Sequence, residues 1–253
     1  MTGAPGSPPP PPMLDPNLLL GAYSIGVFPM ADHRDADSVY WVEPKQRAVL
    51  PLAGFHLSRS LRKALVSDRF RVTADTAFAA VIALCAESAA DREETWINRQ
   101  IEASFLLLHR LGYAHSVECW DGERLVGGLY GLALGRAFFG ESMVSRASDA
   151  SKIALAWLVA RLRVGGYTLL DCQFQTDHLA ALGAVKIDRE DYMVLLAAAL
   201  EGVSGAPWGA AGVGADFGAL DGFGAGAGPA LPADTELGPP SGKVIAQLLG
   251  QTS

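Results

Sequence analysis

Two hydrophobic periods organise the middle of the chain. Three runs, 115–120, 124–132 and 136–143, alternate apolar and polar residues, with Asp121-Gly122 and Gly135 between them. Alternation at period two joined by such turn residues predicts an antiparallel meander. From 151 to 164 the apolar residues fall at 153, 155, 157, 158, 159 and 162, which predicts an apolar helix ended by Gly165-Gly166. Residues 167–173 then read as a strand, 177–182 as a short helix and 189–200 as a longer one.

Upstream, Asp15 before Pro16 supplies an N-cap and a proline in the first turn, so 16–24 reads as a helix ending near Gly26. Stretches 47–51 and 70–73 are β-branched or alternating and predict short strands. Asp75 is placed to cap an apolar helix through Ala86, and Asn98 another through Leu111, stopped by Gly112. The expected fold is α+β: a small N-terminal α/β layer over 14–74, then a unit over 75–202 built on a mixed, largely antiparallel sheet. Two such lobes share a cleft, the usual location of a ligand.

Composition limits this picture at both ends. The first 13 residues hold six prolines and no charge, a polyproline-like tail. Residues 203–253 hold 12 of the 28 glycines and five prolines, which predicts a mostly disordered extension, with a short helix at 244–249 and Trp208 as a candidate anchor. No run of about 18 apolar residues occurs and the N-terminus lacks signal-peptide grammar, so a cytoplasmic protein without membrane spans is expected. The net charge of -7 argues against nonspecific DNA coating, yet leaves room for a local basic patch that binds RNA. Cys85, Cys119 and Cys172 lie far apart in apolar stretches and the five His are scattered, so buried free thiols and no metal site are expected.

Candidate chemistry concentrates in a few places. In LLDCQ at 169–173, strand alternation puts Asp171 and Gln173 on one face. The carboxylate would accept from the Gln amide NH₂ and aim the Gln carbonyl outward as an acceptor for an amine; the same residues also suit a helix cap or a stitch between sheet and loop. Glu141, among Phe138, Phe139, Gly140 and Ser142, either holds a cationic substrate or hydrogen-bonds Gln173, or is an edge-strand or turn residue facing water. Trp96, just before a helix, is either a hydrophobic staple or a pocket wall. Arg59, Arg62 and Lys63 lie at one-turn spacing on a helix and either grip phosphates or form a solvated face.

Taken in order, these segments resemble the leucyl/phenylalanyl-tRNA–protein transferase family. The matching blocks are LLLGAYSIGVFPMAD (18–32), YWVEPKQRAVLP (40–51), HLSRSLRK (56–63), TWINR (95–99), LGYAHSVECW (111–120), LVGGLYG (125–131), FFGESMVSRASDASK (138–152) and LLDCQFQTDHLAALGA (169–184). The resemblance implies transfer of Leu or Phe, less readily Met, from aminoacyl-tRNA to the N-terminal Arg or Lys of a protein, which marks that protein for degradation. It implies a C-terminal domain similar to the GNAT acetyltransferases. It places the active-site acid and amide at Asp171 and Gln173, a cleft glutamate at Glu141, and an apolar donor pocket at Leu129, Phe138, Leu155, Leu158 and Leu170, with Trp96 nearby. Leu at 129 and 158 stands where many relatives have Met and Phe, and Tyr-Trp at 40–41 where two Trp are common.

With that resemblance, Arg59, Arg62 and Lys63 are expected to join Arg47, Arg99, Arg146 and Lys152 in a surface for the tRNA acceptor stem. No cofactor is expected, because an aminoacyl ester is already activated. An acyl-CoA-dependent acetyltransferase would need a glycine-containing pyrophosphate loop, whereas 144–151 reads VSRASDAS, without glycine.

Overall fold

The computed structural model describes residues 13–87, 95–202, 214–222 and 240–251. The proline-rich tail up to residue 12 and Trp208 lie outside the described residues.

Capping chemistry sets several element boundaries. α1 (Pro16–Ser24) starts where the Asp15 carboxylate accepts from the Asn17 amide at 2.7 Å. α2 (Arg59–Val66) is capped by Ser58, and α4 (Arg99–Arg110) by Asn98, whose side chain accepts from the Ile101 amide at 2.9 Å. α3 (Phe78–Ala86) departs from expectation, since its N-cap is Ala77 and carries no side-chain cap. Asp75 instead adopts φ 57° and turns its carboxylate to the neighbouring strand, accepting from the Ser116 amide at 2.8 Å and lying 2.7 Å from His115 Nδ1. Asp tolerates left-handed backbone, and that strand amide satisfies it in place of a helix amide.

A two-stranded ribbon pairs β1 (Phe28–Met30) with β2 (Tyr40–Val42). The main sheet has seven strands: β3 (Gln46–Val49), β4 (Arg71–Ala74), β5 (Ala114–Asp121), β6 (Arg124–Leu134), β7 (Ala137–Ser145), β8 (Leu169–Gln173) and β9 (Val185–Asp188). Their spatial order is β4-β5-β6-β7-β8-β3-β9, antiparallel throughout except for the β7–β8 pair. The expected meander is therefore present as β5-β6-β7, and the α+β class with it. Strands β3 and β4, from the stretch assigned to an N-terminal lobe, lie in this same sheet.

Helices cover both faces of the sheet. On one side lie α5 (Ala150–Val164) and α2, together with α6 (Asp177–Ala181) and α8 (Gly242–Gly250). On the other lie α1, α3, α4 and α7 (Arg189–Ala199). α5 is buried almost all round, as its apolar pattern requires. Two stretches of the expected extension are not loose: 214–222 buries Phe217 and Leu220, and α8 buries Ile245 and Leu249. They flank α5, where Arg161 donates to Phe217 O and Asp221 while Arg163 donates to Leu248 O. The helix expected at 244–249 is present as α8, whereas glycine-rich composition hid the 214–222 anchor, because a few apolar residues suffice when α5 offers them a surface. Among the described residues no helix is long and apolar enough to cross a membrane.

Candidate active site

The site arises where the parallel strands part. Pairing of β7 with β8 stops at Phe139 and Asp171, while β7 runs on to Ser145. Just past that point Gly131 pairs with Gly140 and Tyr130 with Ser142, so Glu141 is the extra residue of a β-bulge, a device that re-aims a side chain. The opening is a cavity of about 460 Å³ walled by Trp96, Leu129, Leu155, Leu158 and Leu170, with Glu141 and Gln173 on its polar side. Trp96 is thus a pocket wall.

Beneath this wall sits a buried ion pair. Arg47 Nε lies 2.9 and 3.0 Å from the two oxygens of Asp171, and Nη2 lies 2.6 Å from Oδ2. The guanidinium is sandwiched between the Phe28 and Tyr192 rings, 4.7 Å from each centroid, and Nη1 donates to Gly26 O. Tyr192 adds a hydroxyl donor to Asp171 at 2.9 Å. Burial alone would depress the Arg47 pKa, but the Asp171 carboxylate outweighs it and holds the guanidinium more firmly charged than usual. Arg47 is 1 % exposed, so it is not part of a tRNA surface. A cation on β3 facing the carboxylate of the adjacent β8 is drawn inside, because each neutralises the other's desolvation cost.

Gln173 is held by this pair in an unusual way. Its backbone amide donates to Asp171 Oδ1 at 2.8 Å, its φ is 53°, and Phe174 N donates to Cys172 O across it, closing a three-residue turn. The expected bond between the Asp171 carboxylate and the Gln173 side chain is absent, since Arg47, Tyr192 and the Gln173 backbone occupy that carboxylate. The Gln173 amide nitrogen donates instead to Glu141 Oε1 at 3.1 Å. Glu141, and not Asp171, therefore orients the Gln173 carbonyl, and Asp171 acts by fixing the backbone of Gln173.

Electrostatics separate the two acids. Burial, followed by the nearby Asp171 charge, raises the Glu141 pKa to about 8, against the lowering effect of Tyr23 and Arg47. The Tyr23 hydroxyl is buried beside Glu141, and its own pKa is pushed well up by burial first and Glu141 second. Burial and the Asp171 charge also raise Cys172, which faces the cavity as a neutral thiol. His178 lines the cavity too, and burial together with the Lys152 charge lowers its pKa.

Other expected positions fall differently. Phe138 is fully buried away from the cavity lining, stacked on Phe217 at 5.7 Å and set edge-on to Tyr167, because it lies on β7 before the strands part. Arg59 and Lys63 are exposed on α2, whereas Arg62 reaches the carbonyl of Ala246 on α8. Arg99 begins α4, on the opposite face of the sheet, and pairs with Asp35 at 3.4 Å. Arg146 pairs with Glu87 at 2.7 Å and Lys152 with Asp149 at 2.9 Å, both beside the start of α5. The basic residues therefore do not form one surface. Sequence reading left out Phe28, Met30, Met143 and His178 from the cavity, although the first two stand in the GVFPM block and Met143 two residues after Glu141.

Comparison with known proteins accords with this geometry. A family model described as leucyl/phenylalanyl-tRNA protein transferase matches residues 49–197, and the model of that family's N-terminal domain matches residues 13–45. Proteins of that name are similar along most of the chain: one from Rhizorhabdus wittichii is 62% identical over 95% of this chain and 99% of its own length. One from Novosphingobium aromaticivorans is 53% identical over 95% and 97%, and one from Zymomonas mobilis 64% identical over 74% and 70%. The class this similarity defines, on an α+β fold, is a transferase. The chain belongs to the leucyl/phenylalanyl-tRNA protein transferase family.

Proposed function

We propose that the protein moves Leu or Phe, less readily Met, from the 3′ end of aminoacyl-tRNA to the N-terminal Arg or Lys of an acceptor protein in the cytoplasm, marking it for degradation. The observation that carries this reading is the apolar cavity with Gln173 and Glu141 on one wall. Leu129, Leu155, Leu158 and Leu170 seat the donor side chain, and one methylene misfit there is worth about 1–3 kcal/mol.

The acceptor's neutral α-amine attacks the ester carbonyl. A C–N bond forms, the C–O bond to the tRNA ribose breaks, and the amine proton ends on the departing ribose oxygen. Because Glu141 engages the Gln173 amide nitrogen, the Gln173 carbonyl is left to accept a hydrogen bond from the attacking amine. Alignment of this kind supplies up to roughly 7–11 kcal/mol of the barrier. Glu141, when ionised, also attracts the cationic side chain of the acceptor's first residue. Arg146 and Lys152, at the start of α5, and Arg59, Arg62 and Lys63 on α2 contact the phosphates of the acceptor stem.

The test is transfer of radiolabelled Leu from Leu-tRNA to peptides beginning with Arg, Lys or Ala. Label on the first two alone supports the reading, and label on none overturns it. Gln173→Ala is expected to lower kcat by about 10²-fold with thermal stability kept.

A further inference from the structure

α8 lies beyond residue 197, where the family match ends, yet it is fastened to the body of the fold at three points. The Gly242 amide donates to Asp68 Oδ1 at 2.6 Å, Arg163 donates to Leu248 O at 2.9 Å, and Arg62 donates to Ala246 O at 3.4 Å. Ile245, Ala246 and Leu249 are its buried side, set against α2 and α5. Helical period then puts Lys243, Ala246, Gln247 and Gly250 together along one flank. Arg62 lies against that flank, since a Cβ at Gly250 would be 3.1 Å from its Nη1. Lys243 and Gln247 are exposed there, and Arg59, Arg62 and Lys63 are exposed on α2.

Neither helix carries an acidic residue. Among the described residues none of the four cations Arg59, Arg62, Lys63 and Lys243 forms an ion pair, whereas Arg99, Arg146 and Lys152 each have one. Asp68, at the junction of the two helices, has one oxygen committed to the Gly242 amide. Like charges gathered without a counter-charge raise the local potential and draw in a polyanion, even on a molecule of net charge -7.

We infer that α2 and α8 form one surface for the tRNA backbone, with Lys243 as a phosphate contact that the family-matched part of the chain does not supply and Gln247 as a neutral donor beside it. Arg62 spends one of its five N–H donors on α8 and turns the rest to the same backbone. Contacts of this kind position the RNA without reading its sequence. The inference rests on the transfer reading for the identity of the polyanion.

Anisotropy titrations of labelled Leu-tRNA with the full chain over a salt series test it. Lys243→Ala should weaken binding about threefold and lower the log–log salt slope by about 0.7–0.9, the share of one phosphate. Lys243→Arg should restore both, and Lys186→Ala, which removes an exposed lysine on β9, should leave both at the parent values. In Leu transfer to a peptide beginning with Arg, Lys243→Ala should raise KM for Leu-tRNA and leave kcat and the KM for peptide unchanged. A slope that Lys243→Ala does not alter, or a loss that Lys243→Arg does not restore, overturns the inference. A parent chain that shows these slope changes yet transfers no Leu would overturn the transfer reading and leave the α2–α8 surface standing.

Discussion

Arg47 and Asp171 form the most consequential contact at the scale of single residues. Nothing about the sequence around Arg47 separates it from the other basic residues, but a buried carboxylate needs a partner. Arg47→Met should therefore cost about 3–5 kcal/mol of stability, read as a fall in the urea midpoint, because Asp171 would stay buried without its cation. Arg47→Met combined with Asp171→Asn should recover part of that loss. If the single substitution were neutral, the pair would not be the anchor of Gln173.

Glu141 makes a second residue-scale prediction. Its folded pKa, about 8, lies above that of an unfolded glutamate, so the folded state binds the proton more tightly. By linkage its contribution to stability is present below the unfolded value of roughly 4.3 and declines as pH rises toward the folded value. Glu141→Gln, which stays neutral, should gain on the parent in melting temperature between about pH 5 and 8, by roughly 2–4 °C for each kcal/mol. A constant difference across that range would mean Glu141 is ionised throughout. The same variant should flatten one limb of the pH–rate profile near 8, since the free α-amine then titrates alone.

At the scale of elements, the parting of β7 and β8 and the clasp around α5 carry the argument. The bulge at Glu141 and the three-residue turn at Gln173 come from adjacent strands and converge only because β8 pairs with β7 on one side and β3 on the other. α8 packs on α2 closely enough that a Cβ at Gly242 would lie 2.0 Å from the Leu65 carbonyl oxygen. Gly242→Val should therefore displace α8 and lower stability by about 1–3 kcal/mol, measured by thermal denaturation, with the transfer cavity intact. An unchanged melting temperature would show that α8 contributes nothing to the body of the fold.

At the scale of the molecule, a chain of net charge -7 has to bind a polyanion through local fields. With Arg47 buried and Arg99 across the sheet, that field rests on Arg146 and Lys152 beside α5 and on the α2 residues. Affinity for charged tRNA should fall steeply with salt, and Lys152→Ala should reduce the log–log slope by about 0.7–0.9, the share of one phosphate contact. An identical slope in filter-binding measurements would remove Lys152 from the interface. Arg47→Lys should change stability, not this slope, which separates the two kinds of basic residue.

The sequence by itself determined what depends on neighbours along the chain. Helix starts at Asp15 and Asn98, the meander with its Asp121-Gly122 turn and the apolar α5 all follow from period and local hydrogen bonding. The tertiary structure decided what depends on partners distant in sequence: that Arg47 is the inward cation, that Asp75 turns to a strand, that Phe138 lies below the cavity and that Glu141 holds the Gln173 side chain. It also decided that residues 214–222 and α8 pack around α5. Period and composition tell whether a residue prefers water, but burial of a charge is settled by whether an opposite charge comes within hydrogen-bond reach, and only the register of β3 against β8 brings Asp171 to Arg47.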